Sequence, residues 1–162
     1  MTDAKALTIT ATTDREILMT RRFQAPPHLL FDAFTKPELV GQWLLGPPGW
    51  TMPVCEIDLR VGGAYRYVWR GTDGTEIGVG GVFREITPPE RLVVTEKYDM
   101  AWYPGEAVIT TVFEEDGGAT WVKTFMNYDS KEARDAVLAS PMESGVSGSY
   151  DRLDTLLARS AS

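Results

Sequence analysis

The sequence predicts an α+β domain: a curved antiparallel sheet of about six or seven strands around one long C-terminal helix, with two short helices after the first strand. Three observations predict it. Between residues 16 and 128 apolar residues alternate in short runs, and Gly-, Pro- or Asp-rich turns separate them. After Gly46-Pro47-Pro48-Gly49 no helical spacing falls between consecutive runs, so the strands pair antiparallel rather than through βαβ crossovers. From Met142 onward the period changes from two to that of a helix.

The elements follow in order. Residues 1–14 are rich in Thr and Ala without a strong period and read as a loose N-terminal arm; 15–160 read as one domain. Glu16–Phe23 is the first strand. Ala25-Pro26-Pro27 stops it, and Pro27 suits the first position of a helix, where a missing N–H costs nothing. Leu30, Phe31 and Phe34 give that helix one buried face. Lys36-Pro37-Glu38 opens a second helix carrying Leu39, Val40 and Trp43. Met52–Arg60 alternates, with Cys55, Ile57 and Leu59 on one face. Gly62-Gly63 turns the chain into Ala64–Arg70, where Tyr65, Tyr67 and Trp69 share a face. Strands over Glu76–Ile86, Arg91–Tyr98, Ala107–Glu114 and Ala119–Tyr128 follow, the last two joined at Asp116-Gly117-Gly118. Ser130 caps a helix over Lys131–Ala139. The final helix aligns Met142, Val146, Tyr150, Leu153, Leu156 and Leu157 in one stripe.

Charge and composition exclude several functions. The formal net charge of −7 argues against a nucleic-acid partner and against anionic membrane surfaces. The only adjacent basic pair, Arg21-Arg22, reads as a solvated strand end. No run is apolar and long enough to span a membrane, and no apolar leader follows Met1, so the expected location is cytoplasmic. One cysteine, Cys55, permits no internal disulfide, and its place on an apolar face makes it an inert buried thiol. One histidine, His28, sits in the first helix and reads as a surface residue. A Cys/His metal site is excluded by count, and no cofactor is expected. Gly78-Val79-Gly80-Gly81 fits neither a phosphate loop nor a dinucleotide fingerprint, and instead marks a bend in its strand.

A sheet this long coils, and the helix stripe packs on its concave side. Gly145 and Ser149 lie within or beside that stripe, where Leu or Ala would be ordinary, and leave volume between helix and sheet. Tyr65, Tyr67, Trp69, Trp121 and Phe125 from the strands, with Trp43, Met142 and Tyr150 from the helices, are the candidates to line it. The bland alternative is a densely packed aromatic core. Glu96 is the weak candidate for acid–base work, since burial would raise its pKa. Alternation leaves its face open, and an outward Glu paired across the sheet is the simpler reading. Asp58 and Arg70 raise the same question with less support.

Phe31-Asp32-Ala33-Phe34-Thr35-Lys36-Pro37-Glu38 with Gln42-Trp43, Ile57-Asp58-Leu59-Arg60-Val61-Gly62-Gly63, Gly81-Val82-Phe83-Arg84-Glu85-Ile86 before Pro88-Pro89-Glu90-Arg91-Leu92, and Tyr150-Asp151-Arg152-Leu153 after Gly145 form a familiar set. Together they resemble the START-like helix-grip (SRPBCC) superfamily, in the bacterial branch similar to the C-terminal domain of the activator of heat-shock-protein-90 ATPase. The likeness spans about residues 16 to 159. It implies a cavity between sheet and long helix, with a small hydrophobic or aromatic ligand as partner. A cyclase- or aromatase-type enzyme using an inward polar residue is an alternative, and a chaperone ATPase activator a lesser one. The family carries no shared catalytic residues to transfer. The oligomeric state is open, with a homodimer among the arrangements allowed.

Overall fold

A computed structural model of the chain describes residues 7–160. Eight strands form one antiparallel sheet in the spatial order β1-β2-β8-β7-β6-β5-β4-β3. They are β1 (Thr8–Ala11), β2 (Glu16–Phe23), β3 (Thr51–Ile57), β4 (Ala64–Arg70), β5 (Glu76–Thr87), β6 (Arg91–Tyr98), β7 (Ala107–Asp116) and β8 (Ala119–Asn127). The helices are α1 (Pro27–Thr35), α2 (Pro37–Trp43), α3 (Lys131–Leu138) and α4 (Met142–Ser160). Part of the stretch read as a loose arm is therefore a strand: Thr8–Ala11 pairs with Ile17–Thr20 and makes the sheet one strand wider than expected. Residues 1–6 of that arm lie outside the described residues. Among the described residues no helix is long and apolar enough to cross a membrane.

Local chemistry sets most boundaries. Pro27 and Pro37 each open a helix, and Lys36 between them is extended, as a residue before proline should be. Ser130 caps α3, its hydroxyl accepting from the Ala133 amide at 3.0 Å. Gly117 and Gly118, both at positive φ, turn β7 into β8 in two residues and pair Phe113 with Val122. The third strand stops at Ile57, earlier than read, and Leu59 is exposed.

One end of the space between sheet and helices is filled. Phe23, Leu30, Phe31, Trp43, Tyr150, Leu153, Leu156 and Leu157 form a buried cluster there. The Tyr150 ring meets Phe23 edge-on at 5.4 Å. Arg21 belongs to this end as well. It is 3% exposed, lies 5.0 Å over the Phe23 ring and donates to Asp151 Oδ1 at 3.0 Å. The reading of Arg21-Arg22 as a solvated pair thus fails for Arg21: its strand parity points inward, and a carboxylate on α4 receives it. Arg22 pairs outside with Asp116 at 2.9 Å.

β5 and β6 approach closely at Gly81. A side chain on Gly81 would run into the Thr95 carbonyl, so glycine is what lets the two backbones close. There the Val82 amide donates to Thr95 Oγ1 at 2.9 Å, and the Tyr65 hydroxyl donates to the Thr95 carbonyl at 2.6 Å. A register shift follows between Phe83 and Glu85. Gly81→Ala should therefore cost about 1–3 kcal/mol by overpacking against backbone. Gly41→Ala in α2, which meets nothing within 4 Å, should gain about 0.5–1 kcal/mol. Urea midpoints of the two variants should move in opposite directions, and a neutral Gly81→Ala would refute this account of the close approach.

Candidate functional site

A cavity of about 810 Å³ separates the sheet from the helices. Strand parity builds its first wall. Odd positions of β4 and β5 face it: Tyr65, Tyr67 and Trp69, then Ile77, Val79 and Phe83. On β6 the even positions do, placing Leu92, Val94, Glu96 and Tyr98 in a row. Ile109 and Thr111 of β7 and Thr124 and Met126 of β8 continue the surface. Phe34, Val40 and Trp43 of the short helices and Met142, Gly145, Val146, Ser149 and Tyr150 of α4 form the opposite wall. Pro47, Ile77, Trp102 and Pro141 line the cavity and are also exposed, which puts its mouth among them.

The aromatic rings fall in two groups. Tyr65, Tyr67 and Trp69 run along β4 with centroids 5.2 and 6.0 Å apart. Across the cavity floor Tyr98 meets Trp102 at 4.9 Å, and Tyr103 meets Tyr128 edge-on at 5.4 Å. The segment following α2 spans the lip between these walls. Trp69 Nε1 donates to the Leu44 carbonyl at 2.6 Å on the sheet side. On the helix side the Gly46 amide donates to Ser149 Oγ at 2.9 Å, and Arg152 donates to the Gly46 carbonyl at 2.7 Å.

Two polar groups in this lining lack partners. The Tyr103 hydroxyl is buried and has none. Glu96 has no hydrogen bond or ion pair to its carboxylate among the described residues, and no Lys, Arg or His lines the cavity. Burial away from water pushes its pKa from 4.5 up to about 7. The charge is felt around it: burial first, and Glu96 next, raise the phenols of Tyr98, Tyr103 and Tyr128, while Tyr65 and Tyr67 are raised by burial with Glu96 among the further causes.

A family model described as activator of Hsp90 ATPase homolog 1-like protein matches residues 24–158. The chain belongs to that family. A crystal structure from Rhodobacter sphaeroides is 34% identical, with a TM-score of 0.89, covering 95% of this chain and 99% of the other. One from Mycobacterium smegmatis is 23% identical at TM-score 0.82, covering 93% and 96%. The AHSA1 protein of Silicibacter pomeroyi is 21% identical at TM-score 0.71, covering 90% and 99%. The last two speak to the fold alone. No curated protein matches.

Against this family frame the residues singled out from sequence divide cleanly. Trp43, Tyr65, Tyr67, Trp69, Met142, Gly145, Ser149 and Tyr150 all line the cavity. Trp121 and Phe125 do not: they alternate with the inward Val122, Thr124 and Met126 and stand on the outer face of β8. Their place inside goes to two threonines, a methionine and a valine. Ser149 is small for a different reason than expected, because its hydroxyl holds Gly46. Gly145 is the open position, where an added Cβ meets only Pro47 Cδ at 3.8 Å. The outward reading of Glu96 is overturned by the parity of β6. Asp58 pairs outside with Arg60 at 2.8 Å and Arg70 with Glu76 at 2.6 Å. Cys55 is half-buried against α2, with its thiol 3.7 Å from the Pro37 carbonyl and pushed up by burial and by Glu38. His28 is exposed. Tyr98, Tyr103 and Tyr128 were missed. Tyr98 shares the parity of Glu96, and Tyr128, at the end of the run read as the last strand, shares that of Thr124 and Met126, so both were findable; Tyr103 lies between strands, where no period applies.

The stability consequence of Glu96 has a definite sign. Between pH 4.5 and about 7 the folded chain keeps a proton that the unfolded chain has released. Stability from this group is therefore present at acid pH and lost as pH rises through that window. Glu96→Gln removes the loss. It should exceed the wild type in unfolding free energy by on the order of 2–3 kcal/mol at about pH 8, with the difference shrinking toward pH 4.5. Equal pH profiles for the two proteins would show that Glu96 is solvated in the folded state.

Proposed function

We propose that the protein binds a small, largely apolar ligand in the space between its sheet and α4. The observation that carries this reading is the cavity itself: about 810 Å³, walled by aromatic and aliphatic side chains with a single carboxylate. Ligand sites of ordinary size occupy roughly 300–1,000 Å³ and combine apolar walls with a few polar groups. A protein interior otherwise packs as densely as an organic crystal, so a space this large beside a filled aromatic cluster reads as one reserved for something else. The family description refers to a chaperone ATPase, and a shared fold does not carry that activity with it.

Glu96 favours a second reading, an acid–base enzyme of the cyclase or aromatase kind. A cavity-facing carboxyl group pushed up to about 7 by burial is suited to moving protons. Under that reading Glu96→Gln abolishes turnover and leaves binding intact.

Gly145 tests the binding reading by opposing two readouts. Gly145→Leu should recover about 1 kcal/mol of helix stability lost to glycine and raise the melting temperature. The leucine should also project into the cavity and weaken a neutral solvatochromic dye that otherwise binds one per chain. Tyr67→Ala should weaken the dye without the gain in stability. Absence of dye binding across a neutral apolar panel, with the circular dichroism of a folded chain, would overturn the proposal.

A further inference from the structure

A binding cavity for any neutral oil needs no carboxylate, and this one has a carboxylate with nothing to pair it. Glu96 stands on the β6 wall with Tyr65 and Tyr67 of β4 beside it, Tyr98 on its own strand, and Tyr103 and Tyr128 from the connections flanking β7 and β8. The helices opposite contribute Phe34, Val40, Trp43, Met142, Val146 and Tyr150, none of them basic. The phenols stay protonated across the neutral range. Near the half-buried Glu96, the Tyr103 hydroxyl is buried and without a partner. A half-buried carboxylate without a partner is costly, and the cost falls when a cation or a strong donor arrives.

Three kinds of ligand would fare differently here. An anionic ligand would bring a second negative charge into a cavity with no cation among the described residues, against a chain of net charge −7. A neutral hydrocarbon would fill the volume and leave Glu96 and Tyr103 as they are. An ammonium group would pair with Glu96 through charge-assisted hydrogen bonds, offer a hydrogen bond to Tyr103 Oη, and present its charge to the faces of the surrounding rings. We infer that the ligand is an apolar organic amine bound as its cation, its nitrogen directed at Glu96 and its hydrocarbon body lying along the Tyr65–Tyr67–Trp69 face. This rests on the binding reading above and names the ligand class for the same cavity.

Matched probes decide it. Phenylbutylamine, phenylbutanol and phenylbutyrate share a hydrophobic body and differ in the polar end. In calorimetric titration at about pH 8 the amine should bind on the order of tenfold to a hundredfold tighter than the alcohol, and the carboxylate weakest. The amine preference should decline as pH falls below about 7, where Glu96 takes up its proton. Glu96→Gln should bring the amine down to the affinity of the alcohol and remove the pH dependence, while the alcohol binds as before. Carbon-detected NMR of the wild type supplies a readout that needs no variant: the amine should lower the Glu96 pKa, and the alcohol should not. If the alcohol or the carboxylate binds as well as the amine, or Glu96→Gln keeps the amine preference, the inference is overturned while the binding cavity stands. If none of the three probes nor the neutral dye binds, both fall together.

Discussion

Thr95 ties β4, β5 and β6 together beside the bulge that bends β5, and the inner face of these three strands is one wall of the cavity. An eight-stranded antiparallel sheet with ordinary twist could lie close on a helix and exclude everything between. Here β5 and β6 approach so closely at Gly81 that any side chain would strike the Thr95 carbonyl. The Thr95 hydroxyl receives the Val82 amide, and the Tyr65 hydroxyl reaches across from β4 to the Thr95 carbonyl. Three strands are thus drawn together at one residue. Tyr65 and Tyr67 of β4 and Glu96 and Tyr98 of β6 thereby face one cavity.

The opposite wall is held off by a matching device. Gly148 of α4 lies with its would-be Cβ 3.2 Å from the Gly46 carbonyl, so the segment after α2 sits directly on the helix backbone. Ser149 and Arg152 bind the two polar groups of Gly46, and Trp69 holds the Leu44 carbonyl from the sheet. Hydrogen bonds at the lip keep the walls apart and together at a fixed spacing. Both clamps draw on side chains of the cavity wall: Tyr65 at Thr95, and Trp69 and Ser149 at the lip. Along α4, Tyr150, Leu153, Leu156 and Leu157 are buried, while Met142 and Val146 pack partly buried against the core. Met142, Gly145 and Val146 also form part of the cavity wall.

How far this was legible in the sequence depended on whether a residue's neighbours constrained it. Strand and helix limits were, because turns and prolines are local signals: β2, β4 and β6 begin and end where the alternation does. The faces of β8 were not. Its outer positions carry Trp121 and Phe125 and its inner ones Thr120 and Thr124, so hydrophobicity points the wrong way. Thr120 is buried because its hydroxyl bonds the Ala25 carbonyl at 2.7 Å, a contact 95 residues distant in the chain. The correct parity was nonetheless recoverable from the hairpin: a two-residue turn at Gly117-Gly118 sets Phe113 opposite Val122, and β7 alternates plainly. Thr8–Ala11 was missed for the reverse reason. An edge strand paired on one side buries little, so its sequence needs no strong period. Arg21 escaped because its inward burial depends on Asp151, which only the fold brings near.

Glu96 is the residue whose position the fold does not need. β6 pairs with β5 and β7 through backbone groups, and a Val or Thr at the same parity would keep the ladder and shed the desolvation of a carboxylate. The tie at Thr95 requires nothing of the residue after it beyond an extended backbone. Structural reasons account for the neighbouring choices: Gly81 for the close approach, Tyr65 for its bond to Thr95, Leu92 for the filled cluster. They stop at Glu96 and at the Tyr103 hydroxyl, which both face the cavity and both lack a partner. In folded proteins polar groups buried without partners are few. One of them, the Tyr103 hydroxyl, stands near the unpaired carboxylate of Glu96 in a cavity whose described lining holds no basic side chain.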